Sequence, residues 1–159
     1  YSRILRLAPE DAETLIHLAQ SRWQLKQGYE AQAALVRVLS QNNLTEEQKA
    51  LARRTLAEIY DDWSVLNVMQ QRNDYQAQDR FHTYHINKDP DGAGVSYALR
   101  GFARHWLRRP DEAKADFEKA LDIGNLSADL TAGVKNSLAE IFKAEEDQRR
   151  AEEERQAAE

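Results

Sequence analysis

The chain has 159 residues, 42% of them hydrophobic and 31% charged, with a net charge of −5 and no cysteine. That length suits one domain or one compact array of repeats, and the acidic balance excludes the basic footprint of a nucleic-acid binder. The missing cysteine excludes disulfides and thiolate zinc without choosing between cytoplasm and periplasm; no run reaches the length of a membrane span, and no signal peptide is visible.

Taken in chain order, apolar residues recur at steps of three and four. Leu15, Leu18, Ala19 and Leu25 form a first stripe; Ala31, Leu35, Val38 and Leu39 form a second. Leu56, Ile59, Tyr60 and Trp63 form a third, and Ala113, Phe117, Ala120 and Leu121 a fourth. Such spacing places one apolar face on an α-helix, and strict alternation over strand lengths is absent, so the chain is expected to be all-α. The stripes are separated by Pro9, Gly28, Asn42-Asn43, residues 89–94, Pro110 and Gly124-Asn125. Proline and glycine end periodic segments, which leaves antiparallel helix pairs of about 12–16 residues each. Thr45 with Gln48 reads as a capping box, Ser127 as a second N-cap, and Pro110-Asp111-Glu112 as a first helical turn.

A small–large–small pattern recurs as Ala31-Leu35-Val38, Ala77-Phe81-Tyr84 and Ala113-Phe117-Ala120. Pro9 to Asn43 is 34 positions and Pro90 to Asn125 is 35. The segment 97–125, YALRGFARHWLRRPDEAKADFEKALDIGN, strongly resembles a tetratricopeptide repeat. Tyr97 matches the family's first aromatic and Gly101 its close-packing glycine; Ala113, Phe117 and Ala120 match the small, aromatic and small positions of the second helix. Residues 12–43 resemble the family more loosely. The resemblance implies an α-solenoid, a right-handed superhelix of helix pairs. Its units are expected at 1–11 (partial, with Tyr1, Ile4 and Leu5 on a second helix), 12–43, 44–91 and 94–127. A repeat domain over 1–142 then precedes a charged helix or linker at 143–159, and the chain is expected to begin inside a repeat. The 44–91 unit is about twelve residues too long, which calls for a lengthened first helix, Thr45 to Gln71, or an extra turn near Asp61-Asp62.

Several chemical readings compete with this one. Asp89, Asp91 and Gly94 in DPDGAG fall where a calcium loop has ligands and its turn glycine, but Arg100 occupies the bidentate glutamate position and repels the ion, so a turn is expected. His82 and His85 form H-x2-H, too few ligands for structural zinc without cysteine. No nucleophile elbow, phosphate-binding loop or H-E-x-x-H helix is found, so neither an enzyme, nor a cofactor, nor a metal is expected. Asn43-Leu44-Thr45 and Asn125-Leu126-Ser127 match the glycosylation pattern, but their recurrence fits turn and cap chemistry better.

In a subset of the family, arginine before the packing glycine faces an acid before the second-helix aromatic. Here these are Arg100 and Asp116, expected to pair between helices. The family's first helices line the concave face, which places Gln20, Trp23, Gln24, Phe102, His105 and Trp106 there as partner-binding candidates. The same tryptophans could instead pack between repeats. Arg104, Arg108 and Arg109 either attract an acidic ligand or form a solvated edge. The expected role is a non-catalytic scaffold that binds another protein or peptide, without nucleic acid or membrane insertion. The alternative is the repeat region of a bacterial envelope protein of the polysaccharide-export or phage-receptor type.

Overall fold

The computed structural model describes residues 11–159. The expectations for Tyr1, Ile4, Leu5 and Pro9 fall outside those residues. The described residues are all-α, with helices packed in adjacent pairs. The chain divides into two compact units, Tyr1–Ala77 and Gln78–Glu159, each taken by itself below.

In the first unit, α1 (Ala12–Gln24) and α2 (Gly28–Leu39) form a hairpin. Leu15, Ile16 and Ala19 of α1 are buried, as are Ala31, Leu35 and Val38 of α2. These positions are the stripes of three-and-four spacing, now a shared core. Helix α3 (Glu46–Tyr60) packs on both. It starts where sequence chemistry requires it to: Gln48 N–H donates to Thr45 Oγ1 at 3.1 Å, and Thr45 N–H donates to Gln48 Oε1 at 3.0 Å. Both halves of the capping box are therefore made.

The surplus residues of the middle unit form a separate short helix, α4 (Ser64–Gln71), after a break at Asp61–Trp63. The extra turn is therefore the arrangement present, and a single helix from Thr45 to Gln71 is not. Asp62 enforces the break: its Oδ1 accepts from both the N–H and the hydroxyl of Ser64, at 3.0 and 2.7 Å. That local bonding competes with helix continuation. Val65 of α4 lies so near the start of α2 that a Cβ on Gly28 would stand 2.7 Å from its Cγ2. Glycine at 28 is thus a packing requirement.

Helix α5 (Tyr75–Lys88) carries the boundary between the units. In the second unit, α6 (Gly94–Trp106), α7 (Pro110–Ile123) and α8 (Ala128–Ala158) follow. Helices α6 and α7 form a hairpin, and α8 packs on both. A Cβ on Gly101 would sit 2.6 Å from the ring of Phe117. This is the close approach expected of that glycine. Helix α8 begins at a Ser127 cap, whose Oγ accepts from Leu130 N–H at 3.1 Å. It buries Val134, Leu138 and Ile141, and runs without interruption past residue 143. The charged tail continues this helix, exposed from residue 147 on.

The internal repeat is sharper in the backbone than in the sequence. Each turn between the helices of a pair has one residue of positive φ: Lys26 (63°), Asn73 (52°) and Arg108 (60°). The next N–H then reaches back five residues, Gln27 to Arg22 O, Asp74 to Met69 O and Arg109 to Arg104 O, at 2.8, 3.0 and 2.9 Å. These are Schellman-type closures, satisfying carbonyls the helix end would leave unpaired. Lys26 and Arg108 are 82 positions apart, and so are the caps Thr45 and Ser127. One shift thus superimposes α1–α3 on α6–α8 in sequence.

Candidate protein-binding surface

Helices α1 and α3 leave two adjoining hollows between them. One, of about 460 Å³, is lined by Gln20, Trp23 and Gln24 of α1 and by Leu51, Arg54 and Glu58 of α3, with Thr55 behind. The other, of about 470 Å³, continues toward the amino ends of both helices, past Ile16, Glu13 and His17 on one wall and Thr45, Glu47 and Gln48 on the other. Leu51 belongs to both, so the hollows form one trough. Low numbers face low numbers along it, which means α1 and α3 run parallel. The three α1 residues expected on this face all line it. Gln24 is exposed, while Gln20 and Trp23 are half-buried. The Trp23 ring also lies 3.1 Å from where a Gly28 Cβ would stand and borders a smaller hollow with Tyr29 and Val68, so it is shared between packing and the trough.

The corresponding residues of α6 are placed differently. Phe102 meets Phe117 edge-on, ring centroids 5.1 Å apart, and comes within 3.3 Å of where a Cβ on Gly133 would be. It packs against the core shared by α6, α7 and α8. His105 Nε2 lies 3.9 Å from Glu140 Oε2 on α8. Trp106 remains 65% exposed. The register reading did not anticipate that Phe102 and His105 would engage α8. The signal was Gly133, whose missing side chain makes room for a ring.

Beside this face, α5, α6 and α7 are tied by a charged cluster. Arg100 donates from Nε to Asp116 Oδ2 at 2.9 Å and from Nη2 to Oδ1 at 2.7 Å. Arg104 Nη1 donates to the same carboxylate at 3.2 Å. Asp79 accepts from Arg104 Nε at 3.3 Å and from Arg109 Nη1 at 3.0 Å. Thr83 joins the two halves, accepting from Arg100 at 3.1 Å and donating to Asp79 at 3.2 Å. Burial opposes the charge on Arg100, but the hydrogen bond and charge of Asp116 outweigh it and raise its pKa. Arg104 and Arg109 thus already have carboxylate partners within the fold, while Arg108 and Arg109 stand exposed at its edge.

His82 is fully buried beside this cluster. Burial, then the neighbouring His85 and Arg100, lower its pKa to about 3, so it is neutral at ordinary pH. DPDGAG is a turn, in which Asp89 Oδ1 accepts from Gly92 N–H at 3.2 Å. Among the described residues no group of three or more His, Cys, Asp or Glu could hold a metal, and no helix is long and apolar enough to cross a membrane.

No protein-family model matches the chain, and no curated protein matches it. Among solved structures it is similar to the crystal structure of MamA, with 16% identity over 96% of this chain and 87% of that one, at a TM-score of 0.37. A likeness so distant leaves the fold resting on the helices described above.

Proposed function

We propose that this chain is a non-catalytic scaffold that docks a segment of another protein along the α1–α3 face. The observation that supports the reading is the trough itself. It is an open cleft between two parallel helices, walled by side chains that can both donate and accept hydrogen bonds. Gln20 and Gln24 each offer two donors and an acceptor, and Gln48, whose oxygen serves the capping box, offers its two donors; these are groups a peptide backbone needs. Trp23 offers flat apolar area with little conformational freedom to lose, as binding hot spots do.

The two copies of the hairpin suggest the test. Gln20 and Leu51 occupy the positions that Phe102 and Gly133 hold in the second copy, where the space is filled. A Gln20→Phe, Leu51→Gly variant should reproduce that packing and close the trough. Immobilised full chain is used to capture proteins from the cells that make it. The expected result is that at least one captured protein is lost with the filled variant while helical content by circular dichroism is unchanged. Retention of the whole captured set by the folded variant would overturn the reading.

A further inference from the structure

We infer that the segment docked in the α1–α3 trough is extended and cationic, with two positive side chains five residues apart. This rests on the docking reading above and adds the chemistry of the partner.

The argument begins with Glu58. It lies in the last turn of α3, where the helix dipole disfavours an acid and no basic residue is present. It lines the trough and forms no ion pair with any described residue. Its counterpart in the second copy, Glu140, has His105 Nε2 at 3.9 Å. The residue at the position of His105 in the first copy is Trp23, which carries no charge. The ring nitrogen beside the carboxylate in one copy is therefore absent from the other, where the hollow beside Glu58 is open.

The second fixed charge is at the opposite end. Glu13 and Glu47 face each other across the amino ends of α1 and α3, and Glu47 also has no ion pair among the described residues. Among the described residues Glu13 is met by His17, at 3.8 Å. Arg54 lines the middle of the wall, so among the described residues the lining carries three carboxylates against one guanidinium when His17 is neutral. From Glu47 to Glu58 the helix rises roughly 16 Å. An extended chain covers that in about five residues, at 3.3–3.6 Å each. A lysine or arginine at each end would meet Glu47 with Glu13, and Glu58. The second would also lie beside the Trp23 ring, a favourable surface for a cation.

The test uses the full chain and three capped hexapeptides, read by tryptophan fluorescence and calorimetry at low salt. The first is Lys-Ala-Leu-Ser-Ala-Lys, the second replaces both lysines by glutamate, and the third moves the lysines to be neighbours. The expected result is saturable binding of the first, at least fivefold weaker binding of the third, and none of the second. Raising the salt to 0.5 M should weaken the first at least threefold, because exposed charges are screened. Glu58→Lys, an exposed position, should reverse the preference toward the glutamate peptide without loss of helical content. Equal or tighter binding of the glutamate or clustered-lysine peptide, or binding of none, overturns the cationic assignment. The capture experiment with the filled variant decides separately whether the trough docks protein, so the two failures are distinguishable.

Discussion

The α1–α3 and α6–α8 segments are two copies of one design, and they differ most where their first helices face the following helix. Phe102 fills the space over Gly133, whereas Gln20 and Leu51 leave a hollow of about 460 Å³. The hairpins behind those faces differ too. Arg100 and Asp116 occupy the positions of Leu18 and Ala34. The first copy has two apolar side chains at these positions, the second an ion pair. A repeat scaffold thus tolerates either solution behind the same backbone, as long as each helix buries one continuous face. The copy with the open trough has the simpler interior, and the copy with the charged interior has closed its face.

The largest effect should come from forcing the second copy halfway toward the first. Asp116 is 3% exposed and holds both Arg100 and Arg104. Asp116→Ala leaves the half-buried Arg100 guanidinium without a carboxylate and takes one of Arg104's, and should cost about 3–5 kcal/mol in urea unfolding. Adding Arg100→Leu completes the change to the Leu18–Ala34 arrangement, and Arg104 keeps Asp79. The double variant should recover at least half of the loss. If the double falls further than the single, the two interiors are not interchangeable and the comparison fails at this level.

A smaller effect tests the packing distance. Position 101 is glycine with the Phe117 ring against it, while its counterpart is Ala19, fully buried. Gly101→Ala should destabilise by about 1–3 kcal/mol through overpacking, despite alanine's better helix propensity. Ala19→Gly should cost only about 1 kcal/mol, from backbone entropy and lost contact. Comparable losses from the two would mean that the hairpins are equally close.

Much of this was legible in the sequence. Helix pairs followed from three-and-four spacing, the Thr45–Gln48 and Ser127 caps from hydroxyls ahead of helices, and the Arg100–Asp116 contact from the resemblance to tetratricopeptide repeats. Helix α4 was not, because eight residues are too few to display a helical period. Nor was the fate of Phe102. Register places a residue on a face, but Gly133, 31 positions later, decides whether that face is covered. The cluster around Asp79 was missed because its members come from three helices, at sequence separations up to 30. No local pattern encodes such a meeting.

The turns were the least legible part, and they carry the smallest predicted effect. Lys26 and Arg108 adopt positive φ, which disfavours any side chain with a Cβ, while Asn73 tolerates it. Nothing about lysine or arginine announces that conformation. The geometry follows from the closures onto the Arg22 and Arg104 carbonyls, which outweigh the local strain. Lys26→Gly and Arg108→Gly should therefore each stabilise by about 0.5–1 kcal/mol in thermal or urea unfolding, the relief of left-handed strain being offset in part by glycine's greater freedom in the unfolded chain. Asn73→Gly should gain less than either. Arg108 is exposed and outside the Asp79 cluster, so its replacement isolates the backbone term. If both glycine variants lose stability, the three turns do not share one conformation, and the 82-residue correspondence between the copies breaks at the hairpin bend.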